Sequence, residues 1–283
     1  MTVGGTRRDS GHRVYHDAQN LEPHEVMTSS LFNLSGRLAV IVGGSSGIGR
    51  TLALGLADAG ADVVATARRA ALVDEVASEI ERRRRRTLRM TADVTDVASL
   101  VRIRDACLGE FGRIDILLCA AAITRRAPTL TMTDADWQQI LDTNATGTLH
   151  ACQVFGAPMI AQGSGRIINI ASLSSFVGFF EVSAYTASKA AVAGLTRALA
   201  VEWAPAGVTV NAIVPGVFRT DLNRELLESP RGQELLTRTP MRRFGRIEEL
   251  VGTAVFLASD AASFITGQLV VVDGGFLASG VNQ

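Results

Sequence analysis

The chain is nearly free of lysine. Of its 28 Lys plus Arg residues, only Lys189 is a lysine, so almost every fixed cation is a guanidinium. Tyrosine is as scarce, with only Tyr15 and Tyr185. The three cysteines (Cys107, Cys119 and Cys152) have no metal-ligand spacing and lie in apolar stretches. They read as reduced core residues of an intracellular protein, and no metal site is expected. A formal net charge of zero gives no electrostatic case for nucleic acid or an acidic membrane surface. The longest apolar runs, such as residues 114–123, are too short and too interrupted to cross a bilayer. The N-terminal stretch lacks the apolar segment of a secretory signal, so a cytoplasmic location is expected.

What is present suits one large α/β domain or two small ones: 283 residues, 47% of them hydrophobic. Residues 1–30 are polar and aperiodic and read as a flexible tail, with Met27 a possible alternative start. From residue 31 the pattern alternates. Short apolar β-rich runs at 38–42, 63–67, 116–120, 166–170, 209–214 and 269–272 are separated by longer Ala/Leu stretches of helical period. Strands alternating with helices predict βαβ units and a doubly wound parallel sheet with helices on both faces. The strand runs are nearly continuous hydrophobics, as when both faces are covered. No repeat or linker interrupts residues 31–283, which predicts a single domain.

Three features carry chemistry. Tyr185 and Lys189 lie four apart, and on a helix they share a face. An ammonium there lowers the pKa of a phenol that ordinarily titrates near 10, as a phenolic acid/base requires. Second, the first strand runs into Gly43-Gly44-Ser45-Ser46-Gly47-Ile48-Gly49 and an amphipathic helix. Such a turn lets backbone approach a pyrophosphate at a helix N-terminus, and its place in the first βαβ unit favours cofactor binding over a mere tight connection. Third, the second strand ends in neutral Ala67 followed by Arg68 and Arg69. An acid there would repel a 2′-phosphate; arginines suit NADP, with NAD possible, although surface arginines are common in this chain. The run of arginines at 82–86 follows a helical stretch and reads as a solvated face.

Together with Asp93-Val94, Asn144, Ser172, Pro215-Gly216 with Thr220, and the closing Ile265-Thr266-Gly267-Gln268 and Val272-Asp273-Gly274-Gly275, these pieces resemble the short-chain dehydrogenase/reductase family over residues 31–283. The resemblance implies a Rossmann fold of about seven parallel strands. It makes Tyr185 the proton donor or acceptor at the substrate oxygen and Lys189 the group that tunes it and bonds the nicotinamide ribose. Ser172 becomes a donor to the same oxygen, and Asn144 the holder of a water linking Lys189 to solvent. Gly43, Ser45, Ser46, Gly47, Ile48, Gly49, Arg68 and Arg69 would hold the adenosine and phosphates, with Asp93 and Val94 at the adenine. Ala120 and Ala121 would line the cofactor site, and Pro215, Gly216, Val217 and Thr220 would close over the carboxamide. The family assembles commonly as a homotetramer through two long central helices. Two departures stand out: Val42 where Thr is usual, and Cys119-Ala120-Ala121-Ala122 where Asn-Asn-Ala-Gly is usual. If they changed together, Val42 lies against the Cys119–Ala120 strand and no buried polar group is stranded, a fault that costs roughly 1–3 kcal/mol.

Within the family, stretches such as Ile123-Thr124-Arg125-Arg126-Ala127-Pro128 and Phe244-Gly245-Arg246 are similar to sugar-acid dehydrogenases, with 3-oxoacyl carrier-protein reductases nearly as similar. Either Arg125 or Arg126 is a candidate for meeting a substrate carboxylate, or both are merely solvated. Residues 221–243 form a polar, helix-compatible segment expected as a mobile lid. Residues 176–180 are expected to line the pocket, with core packing an equal alternative for Phe176. The resulting expectation is an oxidoreductase acting on a small-molecule secondary alcohol or ketone. A non-catalytic dinucleotide sensor on the same fold is the rival, and a nucleic-acid binder using the 82–86 arginines is a second.

Overall fold

The computed structural model describes Met1, residues 31–219 and residues 227–280. The tail expected at 1–30, apart from Met1, and Thr220 lie outside the described residues. Six parallel strands run β1 Leu38–Val42, β2 Asp62–Thr66, β3 Ile116–Cys119, β4 Gly165–Ile170, β5 Val208–Pro215 and β6 Leu269–Val272, in the order β2-β1-β3-β4-β5-β6. The helices are α1 Gly47–Asp58, α2 Ala70–Arg82, α3 Val97–Phe111, α4 Asp134–Leu141, α5 Gly147–Gln162, α6 Ser183–Trp203, α7 Pro230–Arg238 and α8 Val251–Ala258.

Alternation along the strands explains the double layer. Successive side chains point to opposite faces. Thus Ala39, Ile41, Val63, Ala65, Ile116 and Leu118 join the core under α1, α2 and α8. Their neighbours Leu38, Val40, Val42, Val64, Leu117 and Cys119 join the core under α3, α5 and α6. With both faces covered the strands are mostly apolar, and the buried amides Asn169 and Asn211 donate to Thr196 Oγ1 and Ile265 O. Close helix contacts rest on glycine. A Cβ on Gly55 of α1 would lie 2.4 Å from a Val251 methyl on α8, and one on Gly156 of α5 would lie 2.8 Å from the Trp203 ring on α6.

The sheet has six strands among the described residues, one fewer than expected. Beside β2, the stretch 86–92 makes only widely spaced backbone bonds, Val63 N to Arg86 O at 3.1 Å and Ala92 N to Ala67 O at 3.2 Å. Between them the Thr66 hydroxyl donates to Met90 O (2.8 Å), and Arg89 turns outward to Glu81. Side chains take the bonds a ladder needs, so the stretch runs along the edge without becoming a strand.

Four of the 82–86 arginines are engaged locally, and Arg84 is exposed at φ +58°. Arg83 pairs with Asp58 (2.8 Å), Arg86 with Asp62 (2.9 Å) while stacking over Phe111, and Arg85 donates to Gly60 O (3.0 Å). Arg82 lies 4.0 Å from Glu79. Among the described residues no helix is long and apolar enough to cross a membrane, and no cluster of His, Cys, Asp and Glu has the make-up of a metal site.

Candidate active site

The strand order reverses direction between β1 and β3, and a crevice opens there at the carboxyl ends of the strands. The Gly43–Gly49 turn leaves β1 at this point. Gly43 N and Gly44 N both donate to Thr66 O, at 2.8 and 3.0 Å, which ties the turn to the end of β2. Gly43 has φ +87°, and a Cβ there would lie 2.4 Å from Ala121 N, so only glycine lets β1 and the loop after β3 meet. A Cβ on Gly49 would lie 2.2 Å from Gly43 O, whereas one on Gly47 would meet nothing within 4 Å. The turn therefore packs tightly behind and presents bare backbone in front. Ser46, the N-cap of α1, makes no side-chain cap bond and instead accepts from Arg69 Nη2 (2.9 Å). The first N–H groups of α1 have no side-chain cap and face a cleft of about 870 Å³, a fit for a pyrophosphate.

That cleft is lined by nearly all the residues expected to bind cofactor: Gly43, Ser45, Ser46, Gly47, Ile48 and Gly49; Arg68 and Arg69; Asp93 and Val94; Ala120 and Ala121; Pro215, Gly216 and Val217. Tyr185 and Ser172 line it too, whereas Lys189 and Asn144 lie behind the wall, buried. Burial pushes the Asp93 carboxyl up, but bonds from the Thr95 amide (2.9 Å) and hydroxyl (2.7 Å) and the Arg68 charge outweigh it, leaving the carboxyl below its ordinary range. Val42 sits beside Cys119 in the β1–β3 register, and Ala120 N donates to Val42 O (2.8 Å). Val42, Cys119 and Cys152 share one buried cluster, and among the described residues no unpaired polar side chain lies at the two departures from the family pattern.

Tyr185 and Lys189 share a face of α6, with Nζ 5.8 Å from the ring centroid. The expected electrostatics differ. Nζ donates to Ile170 O (2.7 Å) at the end of β4, and burial lowers the Lys189 pKa to about 8. The Tyr185 phenol is pushed above its ordinary value by burial, with a hydrogen bond to Ser172 pulling the other way. Lowering of the phenol by Lys189 is therefore not seen here; its ammonium is committed to the strand-end carbonyl. Ser172 follows β4, accepts from Ser174 N (3.1 Å), and so has its hydroxyl oriented from below.

Asn144 lies in a π-helical turn, Asp142–Thr146, between α4 and α5. Its Oδ1 accepts from Ile123 N (2.8 Å), while Nδ2 donates to Ile123 O (2.8 Å) and Ser188 Oγ (3.0 Å). Ser188 Oγ in turn donates to Tyr185 O (2.7 Å). The amide clamps the loop after β3 onto α6, and both its donors are used.

The candidate carboxylate arginines are both paired. Arg125 makes a short ion pair with Asp136 and does not line the cleft. Arg126 does line it but pairs with Glu181 (2.7 Å) and lies over the Phe180 ring. Of the expected aromatic segment, Phe179 lines the cleft and packs on Phe276, while Phe176 and Phe180 are exposed. One charged cleft residue escaped the sequence reading: Arg231, on α7 inside the expected lid segment. Only the general lid signal, a polar helical stretch, marked its neighbourhood.

A family profile described as enoyl-(acyl carrier protein) reductase matches residues 42–277. The chain belongs to the short-chain dehydrogenase/reductase family. It is 39% identical to the 2-dehydro-3-deoxy-D-gluconate 5-dehydrogenase of Dickeya dadantii, over 89% of this chain and 100% of that protein. It is also 39% identical to the 3-oxoacyl-[acyl-carrier-protein] reductase of Synechocystis, over 86% and 98%. A crystal structure of a gluconate 5-dehydrogenase from Burkholderia cenocepacia, in complex with NADP and tartrate, superposes with a TM-score of 0.86 at 37% identity, covering 89% of this chain and 99% of that one. The short-chain dehydrogenase/reductase chain described here is thus an NAD(P)-dependent oxidoreductase that interconverts a secondary alcohol and a ketone by hydride transfer.

Proposed function

We propose that residues 31–283 form one NAD(P)-binding catalytic domain that prefers NADP and acts on a small, polar hydroxy or keto acid of the sugar-acid class. The observation that carries the reading is the single cleft joining the bare glycine turn, the Arg68–Arg69 pair and the Tyr185–Ser172 oxygen site. Arg68 and Arg69 stand where an acid would oppose a 2′-phosphate, which supports NADP. The dinucleotide supplies or takes the hydride.

Tyr185 Oη is the proton donor to the carbonyl oxygen in reduction and the acceptor in oxidation. Its raised pKa keeps the phenol protonated at neutral pH, the form reduction needs. Ser172 Oγ donates to the same oxygen and stabilises the charge that develops there. Lys189 is the buried cation behind Tyr185 that bonds the nicotinamide ribose, and Asn144 positions Tyr185 through Ser188 while keeping a place in the proton path. Asp93 and Val94 take the adenine end, and Pro215, Gly216, Val217 and Thr220 close over the carboxamide.

The buried free thiols support a reducing, cytoplasmic location. Residues Ala190, Ala191, Gly194, Ala198 and Val201 make an exposed, small and apolar face on α6, which supports a homotetramer built on the long helices. Reduction of acyl thioesters remains the second reading, favoured by the match to the carrier-protein reductase.

A screen of NADPH and NADH against keto-gluconates, diketones and acyl thioesters tests the assignment. NADPH with a keto acid is expected to give the highest kcat/KM. Tyr185→Phe is expected to lower kcat by about 10²–10⁴-fold with NADPH binding retained. Turnover of acyl thioesters alone would establish the second reading, and unchanged kcat in Tyr185→Phe would remove the phenol from the chemistry.

A further inference from the structure

Among the described residues, four arginines and one acid, Asp93, are the charged residues that line the cleft. Arg68, Arg69 and Asp93 belong to its adenosine end. The other two arginines converge on residues 180–181, a few positions before Tyr185. Arg126 is neutralised there by Glu181, which is held at φ +62°, a conformation unfavourable for a residue with a side chain. Arg231 has no such counter-ion among the described residues. Its Nη2 donates to Phe180 O (3.2 Å), and Nη1 is shielded from water with no hydrogen-bond partner.

A guanidinium N–H kept from water without an acceptor is destabilising, and an incoming acceptor relieves it. Its five donors form a planar fork that suits a carboxylate. The helix carrying Arg231 is itself seated: Leu235 packs with Leu173, Val192 and Phe276 in a local core beside Ser172, and the Ser229 hydroxyl caps its start. The uncompensated charge is therefore held at the substrate end by packing.

We propose that Arg231 is the carboxylate anchor of the substrate site, gripping the acid group while the reacting oxygen lies at Tyr185 and Ser172. This rests on the reading of the substrate as a hydroxy or keto acid and adds the residue that recognises it. It assigns to α7 the part that Arg125 and Arg126, being paired, do not fill.

The test compares Arg231→Gln and Arg231→Lys with wild type in the full-length enzyme, with NADPH and two ketones: 5-keto-gluconate, and the neutral ketose sorbose. Arg231→Gln is expected to raise KM for the keto acid about 10- to 100-fold, leaving kcat within about twofold and the KM for sorbose unchanged, with partial recovery in Arg231→Lys. Equal changes on both ketones, or none on the keto acid, would overturn the anchor. An activity-independent arm uses malonate, which is expected to raise the unfolding temperature of the NADP-loaded wild type but not of Arg231→Gln. If wild type reduces sorbose but no keto acid, the sugar-acid reading fails on its own, and malonate decides Arg231: equal stabilisation of both proteins, or of neither, overturns it.

Discussion

At the scale of single residues, Lys189 combines burial with a charge. It is 3% exposed, its Nζ is bonded to a carbonyl and not to an acid, and its pKa falls from 10.5 to about 8. Between those pH values the unfolded chain binds a proton that the folded chain has lost, so stability rises with pH. Relative to Lys189→Met, wild type is expected to gain up to about 3 kcal/mol between pH 8 and pH 10.5, read from denaturant midpoints of the cofactor-free protein. A flat difference would mean that Lys189 keeps its proton in the fold. The pairing of Tyr185 with Lys189 was legible in the sequence because residue scarcity and spacing both mark it. The direction of the Tyr185 shift was not, because it depends on burial in the folded cleft, which outweighs the opposing hydrogen bond with Ser172. The same holds for Asn144, whose partners Ile123 and Ser188 are brought together only by tertiary structure.

At the scale of elements, strand placement was legible almost residue by residue. The runs expected at 38–42 and 269–272 are the observed β1 and β6, and the others shift by one residue or so at an end. Continuous apolar runs leave little freedom in a sheet covered on both faces. The failures have physical reasons. Along the edge stretch 86–92, the β2 side chains Thr66 and Asp62 capture the backbone groups Met90 O and Arg86 N that a ladder would use. The π turn at Asp142–Thr146 adds one residue to a helical circuit, which no composition signal announces. Helix contacts also turn on single atoms. Gly55→Ala drives a methyl into Val251 and is expected to destabilise by about 1–3 kcal/mol, with Val251→Ala in the same chain recovering part of the loss. Additive losses in the double variant would show that the two residues do not share the strain.

At the scale of the whole molecule, the cleft gathers residues from both sides of the point where strand order reverses. The turn after β1 and the loop after β3 touch through Gly43 and Ala121, so the two sides are fixed relative to each other before any ligand arrives. The outer face of α6 is mostly small and apolar, with Arg197 and Glu202 as its charged members. If the proposed homotetramer is built on this face, Gly194→Arg lowers the sedimentation mass below that of wild type; an unchanged mass would place the subunit contacts elsewhere.

The solitary, sequestered ε-amine has a practical side. An acylating dye or an amine-directed crosslinker meets no lysine on the folded surface, which leaves the α-amino group as the sole primary amine open to it. Native preparations can therefore carry one tag at one known end, and the appearance of a second reports that the fold around residue 189 has opened.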